Sequence, residues 1–130
     1  MSKGALTVIA VAVVAAAAVL VIVLGVTGGD EPIAAVPGGD PDRGERLVEE
    51  YGCDACHTLP GIASTNKYVG PPLDDFATER FIAGDEPNRL DVLIRWIMNP
   101  QRIEPGTLMP NLGVSRADAR DIAAYLYSDR

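Results

Sequence analysis

Apolar and polar positions along this chain fall into three regimes. Residues 5–26, ALTVIAVAVVAAAAVLVIVLGV, form an unbroken apolar run without a charge. As a helix rising about 1.5 Å per residue the run is about 33 Å long, enough for the roughly 30 Å hydrocarbon core of a bilayer. It exceeds the ~7–15 apolar residues of a cleaved leader. It also ends in Gly28-Gly29-Asp30-Glu31-Pro32 rather than at a small-residue cleavage site, so residues 1–26 are expected to be an uncleaved transmembrane anchor. Residues 27–41, TGGDEPIAAVPGGDP, hold four glycines and three prolines and predict a flexible linker. Its root-mean-square span is on the order of 20 Å.

From residue 42 the apolar positions recur at helical spacing, broken by Pro/Gly-rich loops, with no stretch alternating as a strand does; residues 42–130 are expected to be one all-α domain. The first helix is predicted from Asp40 as N-cap and Pro41 at the first helical position to about Gly52. Gly44, Leu47, Val48 and Tyr51 line its apolar face. A glycine there costs about 1 kcal/mol against alanine, which makes sense if another helix crosses closely at that point. A second helix is expected over about Arg89–Met98, with Asn88 as N-cap and Pro100 as terminator; only Asp91 and Arg95 are left for solvent. The last starts at Ser115, with Asp118 three residues on as a capping-box variant, and runs to about Ser128 with Ala119, Ile122, Ala123 and Leu126 inward.

Charge sharpens this division. The chain is 48% apolar with formal charge −7, yet residues 30–130 hold ten of its eleven basic groups and all eighteen acidic ones. An acidic domain, in a chain whose only lysines are Lys3 and Lys67, repels phosphate, so no nucleic-acid partner is expected. About 90 residues bury too small a core for a large enzyme with a self-made pocket. Lys3 precedes the apolar run and only Asp30 and Glu31 follow it, so the N-terminus is expected in the cytoplasm and the C-terminal domain on the outer, periplasmic side.

The candidate chemistry is at Cys53-Asp54-Ala55-Cys56-His57. Two cysteines spaced C-x-x-C with histidine next are the pattern of covalent haem attachment. Thiols at i and i+3 lie near one another, ready to make thioethers to two vinyl groups, and His57 is then placed under the iron. A thioredoxin-type dithiol expects a strand–helix setting that this sequence lacks, a structural zinc site wants a fourth ligand, and a disulfide leaves His57 unexplained. The expected cofactor is one haem c, covalent through Cys53 and Cys56. His57 is the only histidine, so a sixth ligand has to come from methionine. Met1 lies across the membrane, Met98 falls in the apolar helix and reads as core, and Met109 sits in the irregular loop Pro105–Pro110, able to aim its side chain inward. The expected iron ligands are His57 and Met109, a pair that raises the potential and closes both axial positions.

With these residues on the page, positions 40–130 resemble the class I c-type cytochromes of the small, bacterial, membrane-anchored kind. The resemblance rests on Cys53–His57, Gly70-Pro71-Pro72-Leu73, Leu93-Ile94-Arg95-Trp96-Ile97, Met109-Pro110 and Ala123-Ala124-Tyr125-Leu126. It implies a small cytochrome c fold wrapped around the haem, with first and last helices crossing at Gly44 and Tyr125. It also implies that the Pro71 carbonyl accepts from the His57 ring, and that Trp96 packs near the haem and reaches a propionate, a role that core packing alone would also explain. Arg95 and Arg102 fit either propionate contacts or surface charges. The near-absence of lysine departs from the lysine-rich docking face of the mitochondrial members.

The function expected from this resemblance is one-electron transfer, with no catalysis of its own. The carrier would be tethered to the membrane of a respiratory or photosynthetic chain, between a quinol-oxidising complex and a terminal oxidase or reductase. The alternative is a fixed haem c-bearing subunit of a multi-subunit membrane oxidoreductase. A sensor or enzyme with an open iron position is a third reading, which carbon monoxide binding would reveal.

Overall fold

A computed structural model describes residues 12–15, 35–63 and 69–128. The chain divides into two units, Met1–Glu31 and Pro32–Arg130. In the first, residues 12–15 are helical, with Val13 and Val14 exposed. The rest of the expected anchor lies outside the described residues, among which no helix is long and apolar enough to cross a membrane.

The second unit is mainly helical: α1 (Pro41–Glu50), a 3₁₀ turn (Cys53–Ala55), another (Phe76–Thr78), a hairpin of β1 (Phe81–Ile82) and β2 (Glu86–Pro87), then α2 (Leu90–Met98), α3 (Pro100–Ile103) and α4 (Arg116–Leu126). The hairpin corrects the strand-free expectation. Its strands are two residues each, paired Phe81 with Pro87 and Ile82 with Glu86, too short to carry an alternating signal. They turn through Ala83 and Gly84, both at positive φ.

Asp40 caps α1 as expected, its Oδ1 accepting the N–H groups of Asp42 and Arg43 at 3.0 and 3.1 Å, a contribution of about 1 kcal/mol. Ser115 caps α4, accepting from the Asp118 N–H at 3.1 Å. The start of α2 differs by one residue. Arg89 is the N-cap, because the Asn88 amide donates to the carbonyls of Phe76 and Glu79 (3.0 and 2.9 Å) and its oxygen accepts from the Tyr127 hydroxyl (2.6 Å). Asn88 therefore ties the 76–79 turn to the end of α4 instead of capping a helix. The Phe76 and Tyr127 rings, 5.6 Å apart and tilted, close the same junction.

The core lies where α4 packs against both α1 and α2. Leu47 and Val48 of α1, Val92, Leu93, Ile94 and Ile97 of α2, and Ala119, Ile122, Ala123, Tyr125 and Leu126 of α4 are all buried. Gly44 is the crossing point: a Cβ there would run into the Asp121 carbonyl and lie 2.8 Å from the Tyr125 Cβ. Tyr125 is fully buried, and its hydroxyl donates to the Pro60 carbonyl at 2.6 Å, tying α4 to the segment after the cysteines.

Residues 35–40, the end of the stretch expected as a linker, pack onto α4. Val36 is buried, the Asp40 N–H donates to Asp121 Oδ1 at 2.9 Å, and a Cβ on Gly39 would be 2.8 Å from that of Ala124. The described packing of the second unit thus begins ahead of α1.

A polar clamp also crosses the helix interface. The Arg43 guanidinium forks between the carboxylates of Asp118 and Asp121, and the Tyr51 and Ser115 hydroxyls donate to Asp118 Oδ2 at 2.9 and 2.7 Å. The Ser115 hydroxyl, then Arg43 and Tyr51, hold the Asp118 carboxyl below the usual carboxylate range. A depressed carboxylate contributes stability that is present above its unfolded value, about 3.9, and lost as pH falls through the depressed folded value. The thermal midpoint is therefore expected to drop by several degrees on acidification below about pH 4. Asp118→Asn should start from a lower midpoint at neutral pH and show a shallower acid decline, read by circular dichroism. An unchanged acid decline in the variant would remove Asp118 from the clamp.

Candidate functional site

The two cysteines and the histidine sit where α1 ends. Tyr51 caps α1, Gly52 follows at φ +72°, a left-handed turn that glycine adopts freely, and the chain tightens into the 3₁₀ turn Cys53–Ala55. The N–H groups of Cys56 and His57 both donate to the Cys53 carbonyl, at 3.2 and 3.0 Å. Both thiols are free and half-buried. Burial pushes the Cys53 thiol up to about 11, with Asp54 adding in the same direction. Among the described residues, no three His, Cys, Asp or Glu side chains converge as metal ligands do. A raised Cys53 thiol and the lack of a converging ligand set among the described residues fit carbon–sulfur bonding better than a thiolate zinc site.

The loop after the motif folds back beneath His57. The Gly70 N–H donates to the Cys56 carbonyl (2.8 Å), the Leu73 N–H to the Thr58 carbonyl (2.9 Å), and the Thr58 hydroxyl to Asp74 Oδ2 (2.6 Å). These bonds bring His57 Nδ1 within 2.7 Å of the Pro71 carbonyl oxygen. A carbonyl oxygen only accepts, so Nδ1 carries the proton and Nε2 keeps its lone pair for another partner. Gly70 lies flat against the ring: a Cβ there would be 2.7 Å from Nδ1 and 2.9 Å from Nε2. The backbone thus sets the tautomer and the ring plane of one imidazole. This is the support that a metal-ligating histidine requires.

The other sequence-predicted residues lie on separate elements. Trp96, on α2, is half-buried and packed against the core edge, as is Met98. Met109 is half-buried in the loop between α3 and α4. Direct contact joins His57 to Pro71. Arg95 is committed elsewhere: its Nε donates to the Asp91 carbonyl at 3.2 Å and its guanidinium pairs with the Asp91 carboxylate at 3.4 Å.

Sequence reading missed Gln101. It stands on α3, a helix hidden behind a proline read only as a terminator, and its amide donates to the carbonyls of Thr107 and Met109 at 3.2 and 2.8 Å. A polar residue eight positions before a candidate ligand gives no signal until the loop is seen to curl back.

Taken together, a free thiol pair, an imidazole with Nε2 available and its ring wedged between Gly70 and Pro71, and a methionine on a separate loop fit a covalently attached haem. Comparison with known proteins agrees. The family model for cytochrome c matches residues 41–129. The chain is 32% identical over 108 residues to a cytochrome c of Theileria annulata, covering 74% of this chain and 91% of that one. It is also 33% identical over 88 residues to cytochrome c oxidase subunit 2 of Alkalihalophilus pseudofirmus, covering 67% of this chain but only 25% of the relative.

Proposed function

The chain belongs to the cytochrome c family, and from that premise we propose that it is a one-electron carrier tethered to a cell membrane by residues 1–26, with its haem domain on the outer, periplasmic side. When bound, the haem supplies an iron that cycles between two oxidation states. What the polypeptide contributes is support. Cys53 and Cys56 would hold the group covalently, His57 would offer Nε2 and Met109 its thioether as iron ligands, and Trp96 would pack against it. The observation that carries this reading is the 2.7 Å contact from His57 Nδ1 to the Pro71 carbonyl, which leaves the opposite ring nitrogen as a ligand.

The apolar run 5–26 and the lone flanking Lys3 support the tether and its orientation. Confinement near a partner raises the effective concentration toward the millimolar range, so the docking contact can stay weak and exchange fast. Eighteen acidic groups favour a basic partner face, such as one on a quinol-oxidising complex or a terminal oxidase.

A second reading, a fixed haem-bearing subunit of one oxidoreductase complex, is favoured by the match to an oxidase subunit. Mild detergent separates the two. A carrier migrates away from every complex on size exclusion, and its reduction by a basic partner slows as salt is raised. A subunit stays at fixed stoichiometry through the same column.

A further inference from the structure

We propose that Gln101 is the positioning residue that holds Met109 in register for the iron, a step that rests on the reading of Met109 as a ligand. Three observations carry it. First, both N–H groups of its side-chain amide are used, one on the Thr107 carbonyl (3.2 Å) and one on the Met109 carbonyl (2.8 Å). Second, the remaining bonds of this loop among the described residues are local: the Thr107 N–H donates to the Glu104 carbonyl (3.1 Å) and the Met109 N–H leans on the Thr107 hydroxyl (3.4 Å). Gln101 is what ties the ligand's own backbone to another element. Third, that element is firm, because Pro100, the first residue of α3, is among the most deeply buried side chains of the domain.

The pattern of the clamp explains why it selects Met109. The chain bends at Leu108 and Met109, and gripping the carbonyls of residues 107 and 109 holds that bend from both sides, which fixes which side chains turn inward. The observed exposure alternates accordingly: Thr107 and Met109 are half-buried, Leu108 is 88% exposed and Pro110 is exposed. A slip of the bend would turn the exposed Leu108 toward the place that the half-buried Met109 holds. A two-pronged donor spanning 107 and 109 opposes that slip; a single contact would leave the segment free to pivot. Gln101 touches neither sulfur nor iron and acts only through the backbone of Met109.

The test uses the full chain, matured with haem in a host that attaches it, with imidazole as competing ligand for the ferric form. Two spectra are read: the near-infrared charge-transfer band of thioether-ligated ferric haem, and the Soret shift on imidazole binding. Gln101→Glu keeps the length and loses both donors; Gln101→Lys keeps donation with a different group. Gln101→Glu should bind imidazole at three- to tenfold lower concentration than wild type, roughly the factor of one or two modest hydrogen bonds. Its near-infrared band should weaken, and Gln101→Lys should stay near wild type. Wild-type imidazole affinity in Gln101→Glu overturns the proposal. So does a Gln101→Lys variant weakened as much as Gln101→Glu, because the residue would then act by packing. Met109→Ala, run alongside, tests the underlying reading separately: a variant that keeps the near-infrared band removes Met109 as ligand whatever Gln101 does.

Discussion

Gly44→Ala is expected to lower the thermal midpoint of the haem-loaded domain by roughly 12–24 °C and to reduce the yield of coloured protein. The added methyl is not absorbed by a flexible neighbour. It meets the backbone carbonyl of Asp121 and the Tyr125 Cβ, atoms fixed by α4 itself. Relief requires α1 and α4 to separate along an interface that buries Leu47, Val48, Ala123 and Leu126. Separation would also pull Arg43 from Asp118 and Asp121. Alanine is the better helix former by about 1 kcal/mol. Overpacking against backbone outweighs this, leaving a net loss of about 3 kcal/mol, and each kcal/mol moves the midpoint of a domain this size by about 4–8 °C. Gly38→Ala, where a Cβ meets nothing within 4 Å although φ is +70°, is the comparison and should cost much less. Equal losses in the two variants would mean that the helix crossing is not the sensitive point.

Met109→Ala is the second variant with a large expected effect. Were His57 and Met109 both to ligate the iron, as proposed, external ligands would be kept from it and the thioether would hold the reduction potential up. Removing the sulfur should lower the potential and let carbon monoxide bind the reduced protein rapidly, where wild type resists it. Met98, half-buried against the core on α2, is the internal control: Met98→Ala should lose stability, in the range of about 2–5 kcal/mol for fully buried methionine and nearer the low end here, without opening the iron. Exchanged phenotypes would transfer the ligand role to Met98. Potentiometric titration and stopped-flow carbon monoxide binding on both variants decide it.

How much of this was legible beforehand depends on whether the cause was local. Asp40-Pro41 and Ser115-x-x-Asp118 announce helix starts because capping involves residues two or three apart, and the structure places both helices there. The pairing of Gly44 with Tyr125 followed from the family resemblance, and the crossing geometry bears it out. What stayed hidden was set by long-range geometry. Asn88 resembles an N-cap in sequence, but its amide serves a turn twelve residues back. Asp118 reads in the sequence only as a capping residue, and Arg43 and Asp121 belong to no local motif; the structure buries Asp121 to 8% exposure and joins all three across the interface of α1 and α4. Pro100 marked the end of α2 correctly, but a proline that terminates one helix can also open the next, and α3 with Gln101 lay behind it. In the candidate site, the motif itself was visible. The Gly70 wedge against the imidazole was not, because it depends on a loop returning thirteen residues later.

Covalent attachment through both cysteines is the claim on which the ligand assignments and the carrier role stand, and the mass of the denatured polypeptide tests it most directly. After expression in a host competent for haem attachment, the wild-type chain should carry the added mass of one haem through acid and organic extraction, with the colour remaining on the protein. The Cys53→Ser/Cys56→Ser double variant should retain neither. A wild-type chain that weighs no more than its amino acids, or whose colour passes into the organic phase, would contradict the account.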